Sequence, residues 1–299
     1  MALTINTNIS SMLVQSNLSK ATTSLNLAIE RMTTGSKINH ASDNAAGYSI
    51  ARNWEAKLGS LDVAADNAAT GADMLSSLED HYALVSTHVQ RVRDLTEQAA
   101  NGTYGTQSLK AIQSEITARL EEIDRIAANC EFSGQYMMDG TLKAGLAIQV
   151  GTDGNSAKSQ IALAGDLFKR GDVKALFDKD DADTVTDEQK AEARAAVAKK
   201  CAGLDSSVSA SDMLANIDDV INTISSRITT LGAAQNRIES AVTSIGVQSE
   251  NITSSLSTLR DADVATESSN YIKAQILQQA SATLLATANQ TPSIALNLL

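Results

Sequence analysis

The chain has 299 residues, with 43% hydrophobic side chains but only 3% aromatic, so its apolar content is mostly Ala, Leu, Ile and Val. That mixture suits thin helices packed side by side rather than a wide globular core, which would draw on aromatics for buried area. Lys and Arg number 24 against 35 Asp and Glu, a net charge of −11, which argues against nucleic acid and against an anionic membrane surface as partners.

At the N-terminus Leu3, Ile5, Ile9 and Leu13 form an apolar stripe. The first residues, MALTINTN, lack a basic stretch followed by an apolar one, so no cleavable secretory signal is expected. Val14, Leu18, Ala21, Leu25, Ile29 and Met32 continue at helical spacing until Thr34, Gly35 and Ser36 break it. A second helix is expected to start near Ser42 and Asp43 and to run past Leu58, Leu75, Tyr82, Val89 and Leu95 to a break at 101–105 (NGTYG). A third uses Leu109, Ile112, Ile116, Leu120, Ile123 and Ile126 and ends before Phe132. Their apolar stripes are too narrow to stand alone.

The middle differs. Residues 146–150 alternate, Asp153 and Gly154 make a turn, and residues 160–163 return as a second strand. From 166 to 200 the chain is charged and Ala-rich, with Thr186 and Gln189 spaced as a capping box before a short helix over 191–199. Residues 166–209 therefore read as an insert that a short Gly/Ser linker could replace.

Beyond it, a seam from Leu214, Ile217, Ile221 and Ile224 to Ile252, Leu256 and Leu259 keeps heptad spacing for more than six heptads, with polar interruptions at Gln235 and Ser249. This predicts a long coiled-coil-like helix. A last amphipathic helix carries Ile276, Leu277, Leu284 and Leu285 and ends in an apolar tail with Leu296 and Leu299. The only Pro in the chain is Pro292. Apolar ends on an acidic chain imply a partner, most simply further copies of the same chain.

Chemistry is sparse. His81 and His88 sit two helical turns apart, about 10.5 Å, too far for a metal clamp. The acidic run 178–183 (DKDDAD) lacks the Gly and Glu register of a calcium loop and reads as a solvated charge run. Cys130 and Cys201 are buried small side chains, free thiols or a pair. No HExxH, GxxxxGKS/T, GxGxxG or GxSxG occurs. Neither catalytic residues nor metal ligands nor a cofactor are expected.

Several stretches together resemble bacterial flagellin. They are residues 3–10 (LTINTNIS), 29–39 (IERMTTGSKIN) with 41–47 (ASDNAAG), 90–95 (QRVRDL) with 98–103 (QAANGT), 259–267 (LRDADVATE), 274–280 (AQILQQA) and 288–290 (ANQ). The resemblance covers roughly 1–165 and 210–299. It implies a mainly α fold, a long antiparallel coiled-coil-like helical rod pairing N- and C-terminal segments, with a small β-hairpin and a short insert. Residues 1–42 with 260–299 would form the terminal coiled coil, an inner tube. Residues 43–165 with 210–259 would form the helical rod, its hairpin near 146–163, and 166–209 a short variable outward insert.

The implied function is structural: polymerisation into an extracellular flagellar filament for swimming, after unfolded export by the flagellar type III apparatus. Self-assembly would use Leu3, Ile5, Ile9, Leu13, Leu18, Leu25, Ile29, Ile276, Leu277, Leu284, Leu285, Leu296 and Leu299. The ends, 1–40 and 263–299, would fold only on assembly. Partners would be the chain itself, flagellar cap and hook-junction proteins, an export chaperone and a host Toll-like receptor, with no nucleic acid and no membrane insertion. The resemblance carries receptor binding onto Gln90, Arg91, Leu95 and Glu115, with Asp94 where the family more usually has Glu. Alternatives are a hook–filament junction protein of the same superfamily, a monomeric coiled-coil adhesin, or an enzyme with a site in the middle segment.

Overall fold

The computed structural model describes residues 8–154, 156–178, 185–205 and 208–296. In chain order its elements are α1 (Ile9–Thr34), α2 (Ala45–Ala100), α3 (Thr106–Asn129), the strands β1 (Glu131–Phe132), β2 (Gln135–Tyr136) and β3 (Leu146–Gln149), a helical turn α4 (Ser156–Ser159), and β4 (Gln160–Leu163). A 3₁₀ turn (Gly165–Phe168), α5 (Val173–Phe177), α6 (Asp187–Cys201), α7 (Ala210–Arg260) and α8 (Val264–Leu296) follow. The expected mainly α class holds, with paired terminal helices and a small hairpin. The chain divides into two compact units, Met1–Gly59 with Ser249–Leu299, and Ser60–Gln248.

In the first unit, Asn8 caps α1 by accepting from the Ser11 N–H (3.1 Å). Gly35 ends the helix at φ 68°, a left-handed conformation that a residue with a Cβ adopts at a cost. Helix α2 starts slightly later than the sequence suggests, because Asn44 is its cap: its Oδ1 accepts from the Gly47 N–H (2.9 Å). The Asp43 carboxylate is turned back instead, accepting from the backbone of Asn39 (3.0 Å) and His40 (2.9 Å), and these bonds hold its pKa below the usual range. The connector after α1 bonds the end of α7 and the connector that follows it, Lys37 N–H to Arg260 C=O (2.7 Å) and Ala262 N–H to Gly35 C=O (2.8 Å). Arg260 fastens this joint by pairing with Glu55 and donating to Ser36 Oγ (3.1 Å).

The core of the second unit is one apolar cluster. It takes Leu75, Leu78, Val85, Val89 and Val92 from α2, Ile116, Leu120 and Ile123 from α3, and Ile217, Ile224, Leu231 and Ile238 from α7. Tyr82 is fully buried within it; its hydroxyl donates to Lys169 C=O (3.2 Å) and accepts from Arg227 (3.3 Å), as a buried phenol requires. At Gln235, a polar interruption of the α7 seam, the amide donates to Glu79 Oε2 on α2 (2.9 Å), so the interruption is a partnered register contact. Strands β3 and β4 pair antiparallel with Leu146 opposite Leu163. Ile148 packs onto α2 at Gly71, where an added Cβ would lie 2.3 Å from Ile148 Cδ1.

Segment 166–209 joins this core rather than standing outside it. Phe168, Val173, Leu176, Val197, Ala198 and Cys201 all belong to the same buried cluster. Asp124 on α3 ties the segment down by accepting from the Val173 N–H (2.8 Å) and pairing with Arg194. Burial raises the Asp124 pKa, against the lowering by those partners. The capping box is complete, Thr186 with Gln189 in both directions, but α6 spans Asp187–Cys201, longer than expected. Cys130 and Cys201 are both free and buried; burial pushes their thiols to about 12 and about 11, so neither is a ready nucleophile. Among the described residues, no group of three or more His, Cys, Asp or Glu could hold a metal ion. Among the described residues, no helix is long and apolar enough to cross a membrane either. Most of the acidic run, 179–183, lies outside the described residues.

Candidate assembly and recognition surfaces

Helices α1 and α8 run antiparallel, and four contacts mark their register. Asn8 Nδ2 donates to Ala288 C=O (2.8 Å), Ser11 Oγ to Asn289 Oδ1 (2.8 Å) and Gln278 Nε2 to Thr22 Oγ1 (3.2 Å), while Arg31 pairs with Glu267 (3.3 Å). Small residues fill the contact: Ala21, Ala28, Ala274 and Ser281 are buried. The large apolar side chains point away. Leu13 is 63% exposed and Ile276 59%, and Ile9, Ile29, Leu277 and Leu284 are exposed with them. Leu18, Leu25 and Leu285 are half-buried. Leu3, Ile5 and Leu299 lie outside the described residues, as does the side chain of Leu296. Met12 and Ile272 are exposed as well; spacings of three from Ile9 and four from Ile276 were the signal for them. Within one chain α1 and α8 pair with each other. What they lack is a cover for their outer apolar face.

On the second unit, Arg91 and Glu115 join α2 to α3. The Arg91 Nε and Nη2 donate to Glu115 Oε1 at 3.0 and 2.8 Å, and Arg119 approaches the same carboxylate at 3.9 Å. Gln90 is exposed beside them. Leu95 is different: it is 2% exposed and belongs to the core. Four residues from Arg91, it lies on the core side of α2 while Arg91 stays at the surface.

His88 sits in this neighbourhood, half-buried, its Nδ1 buried without a hydrogen-bond partner. Burial and then the nearby Arg119 push its pKa below the ordinary value of 6.5, with Arg125 adding to the effect and Glu122 opposing it. The folded state thus binds this proton less readily than the unfolded chain. Stability should be unaffected above pH 6.5 and should fall as pH drops from there towards the lower folded value. Urea unfolding at about pH 7.5 and about pH 5.5 is expected to show a smaller loss for His88→Gln than for the parent; equal losses would assign the dependence to other groups.

Two family models match the chain: the bacterial flagellin N-terminal helical region over residues 5–143 and the bacterial flagellin C-terminal helical region over 214–299. A flagellin of Xenorhabdus nematophila is 38% identical, with all of both chains covered. The chain belongs to the bacterial flagellin family. A flagellin of Bacillus subtilis (strain 168) is 33% identical over 99% of each chain, and the flagellar filament 33 kDa core protein of Treponema phagedenis is 29% identical over the same shares. Both surfaces lie within the flagellin matches, α1 and α2–α3 in the N-terminal one and α8 in the C-terminal one. The stretch between the two matches, 144–213, holds β3, β4, α5 and α6.

Proposed function

We propose that this chain is the structural subunit of a flagellar filament and has no catalytic role. The observation that carries the reading is the apolar outer face of α1 and α8, where side chains such as Leu13 and Ile276 stand in solvent with nothing among the described residues to cover them. Contiguous exposed apolar surface of this kind marks an interaction site, and the family membership supplies the occupant, further copies of the chain. Residues 1–42 with 260–299 would line the inside of the polymer and 43–165 with 210–259 would surround them. Export in unfolded form through the flagellar type III apparatus, with an export chaperone, and contact with cap and hook-junction proteins accompany this reading, which places the product in the extracellular flagellum. Leu13→Asp and Ile276→Asp are each expected to abolish salt-triggered filament growth by electron microscopy while leaving circular dichroism unchanged. Filaments of normal length from both variants would overturn the proposal.

The α2–α3 surface supports a second role, recognition of the monomer by a Toll-like receptor through Gln90, Arg91 and Glu115. Arg is favoured at such contacts, and here Glu115 holds it in one orientation. Arg91→Ala should weaken signalling in a receptor reporter assay by about tenfold or more, the loss of an ordinary hot spot. Leu95→Ala tests something else, because its side chain supports the patch from beneath; its effect should track a loss of folding stability. Full potency of Arg91→Ala would remove the receptor assignment and leave filament assembly untouched.

A further inference from the structure

The break between α2 and α3 holds the only Asn-Gly pair in the chain, Asn101 and Gly102. A glycine in a turn commonly serves the backbone, by taking a positive φ or by letting a neighbour approach. Neither applies at Gly102. Its φ lies outside the positive range, and an added Cβ would meet nothing within 4 Å. What glycine does supply here is unhindered access to its own backbone nitrogen. The Gly102 N–H donates to no backbone carbonyl among the described residues. Asn101, Gly102 and Thr103 are all exposed. The Asn101 side chain turns back along the chain, its Oδ1 accepting from the Thr103 N–H (3.3 Å), the local turn that Asn favours. This keeps its Cγ close to the Gly102 nitrogen.

The other described asparagines are placed differently. Most stand inside the helices, where the next N–H is engaged in the i→i−4 ladder. Outside them, Asn8 Nδ2 donates to Ala288 C=O (2.8 Å), Asn39 Nδ2 donates to Ser36 C=O (3.2 Å) and Asn44 Oδ1 accepts from the Gly47 N–H (2.9 Å). Each of these three also precedes a residue with a Cβ.

We propose that Asn101 is a site of spontaneous deamidation through a cyclic imide. The Gly102 nitrogen gives up its proton to base and bonds to Asn101 Cγ; the Cγ–Nδ2 bond then breaks and Nδ2 leaves, protonated, as ammonia. The Thr103 N–H faces the oxygen that gains charge in this step. Water opens the ring at either carbonyl, leaving aspartate or isoaspartate at position 101. The sum is amide plus water to acid plus ammonia, with no oxidation or reduction. The product carries a carboxylate at the C-terminal end of α2, where the helix dipole disfavours negative charge. In the isoaspartate form the turn between α2 and α3 is also one backbone carbon longer.

The test incubates the folded full-length monomer in buffers from neutral to mildly alkaline and follows timed digests by mass spectrometry, with enzymatic methylation to reveal isoaspartate. Conversion is expected at position 101 ahead of every other Asn, and faster as pH rises, because the attacking group is the deprotonated amide. Gly102→Ala should slow it by about tenfold or more, since a methyl group crowds the attacking nitrogen. The open space around Gly102 lets this variant keep the fold, which circular dichroism checks. An unchanged rate in Gly102→Ala or earlier conversion at another Asn would overturn the proposal. So would a position 101 that converts in the urea-unfolded chain but stays intact in the folded one. The readout involves neither polymerisation nor a receptor, so its failure leaves both readings above untouched.

Discussion

Phe168→Ala is expected to destabilise the Ser60–Gln248 unit by about 3–5 kcal/mol, the usual loss for a buried Phe that leaves a cavity. For a unit of this size that lowers the thermal midpoint by about 10 °C. Phe168 is fully buried among Leu167, Val173 and Leu176, with little freedom for neighbours to collapse into its place. Replacing the whole of 166–209 by a Gly/Ser linker should be worse than this single truncation. It would also strip Asp124 of the Val173 N–H and of Arg194, leaving on α3 a carboxylate whose burial already disfavours its charge. Differential scanning calorimetry of the two variants gives the measurement. A linker variant that melts at the parent midpoint would show that the segment merely rests on the surface, and the original expectation of a dispensable insert would then stand.

Why that segment reads as an insert is instructive. Its helix α6 is rich in Ala, Lys and Glu and has almost no directional apolar stripe, so composition points outward. Burial is supplied by a few positions, Ala193, Val197, Ala198 and Cys201, and small side chains give a weak periodic signal. The capping box, by contrast, is local chemistry written in two residues, and it was legible. The long helices were legible for the same reason that α6 was not: Leu, Ile and Val repeat every three or four residues over many turns. The β1–β2 hairpin escaped because two residues per strand are too few to alternate; its turn rests on Ser133 at φ 51° and Gly134 at φ 83°. Periodicity placed Leu95 with Arg91 on one helical face but could not say that the core would cover one and leave the other at the surface.

Limited proteolysis of the monomer is expected to remove both ends first and leave a core of about residues 45–260 that no longer polymerises. Helices α1 and α8 are formed in the single chain, but their contact is made by Ala21, Ala28, Ala274 and Ser281, and a buried Ala contributes roughly a third of what a buried Leu does on an area basis. Against this stands the backbone and side-chain entropy of about 60 helical residues, at about 1–2 kcal/mol each for the backbone alone. A two-helix pair closed by methyl groups is therefore the part of the molecule most prone to local opening, and protease sites within it are exposed whenever it opens. On the assembly proposed above, neighbouring copies cover the outer face with Leu13, Ile276 and Leu284, and each helix gains the large apolar contacts it lacks alone. Opening should then be suppressed and the same sites protected. Mass spectrometry of timed digests, monomer against filament, distinguishes the cases. Ends that survive in dilute monomer as long as the Ser60–Gln248 unit would show that the α1–α8 pair is stable without its neighbours, and that assembly draws on a preformed surface rather than stabilising a marginal one.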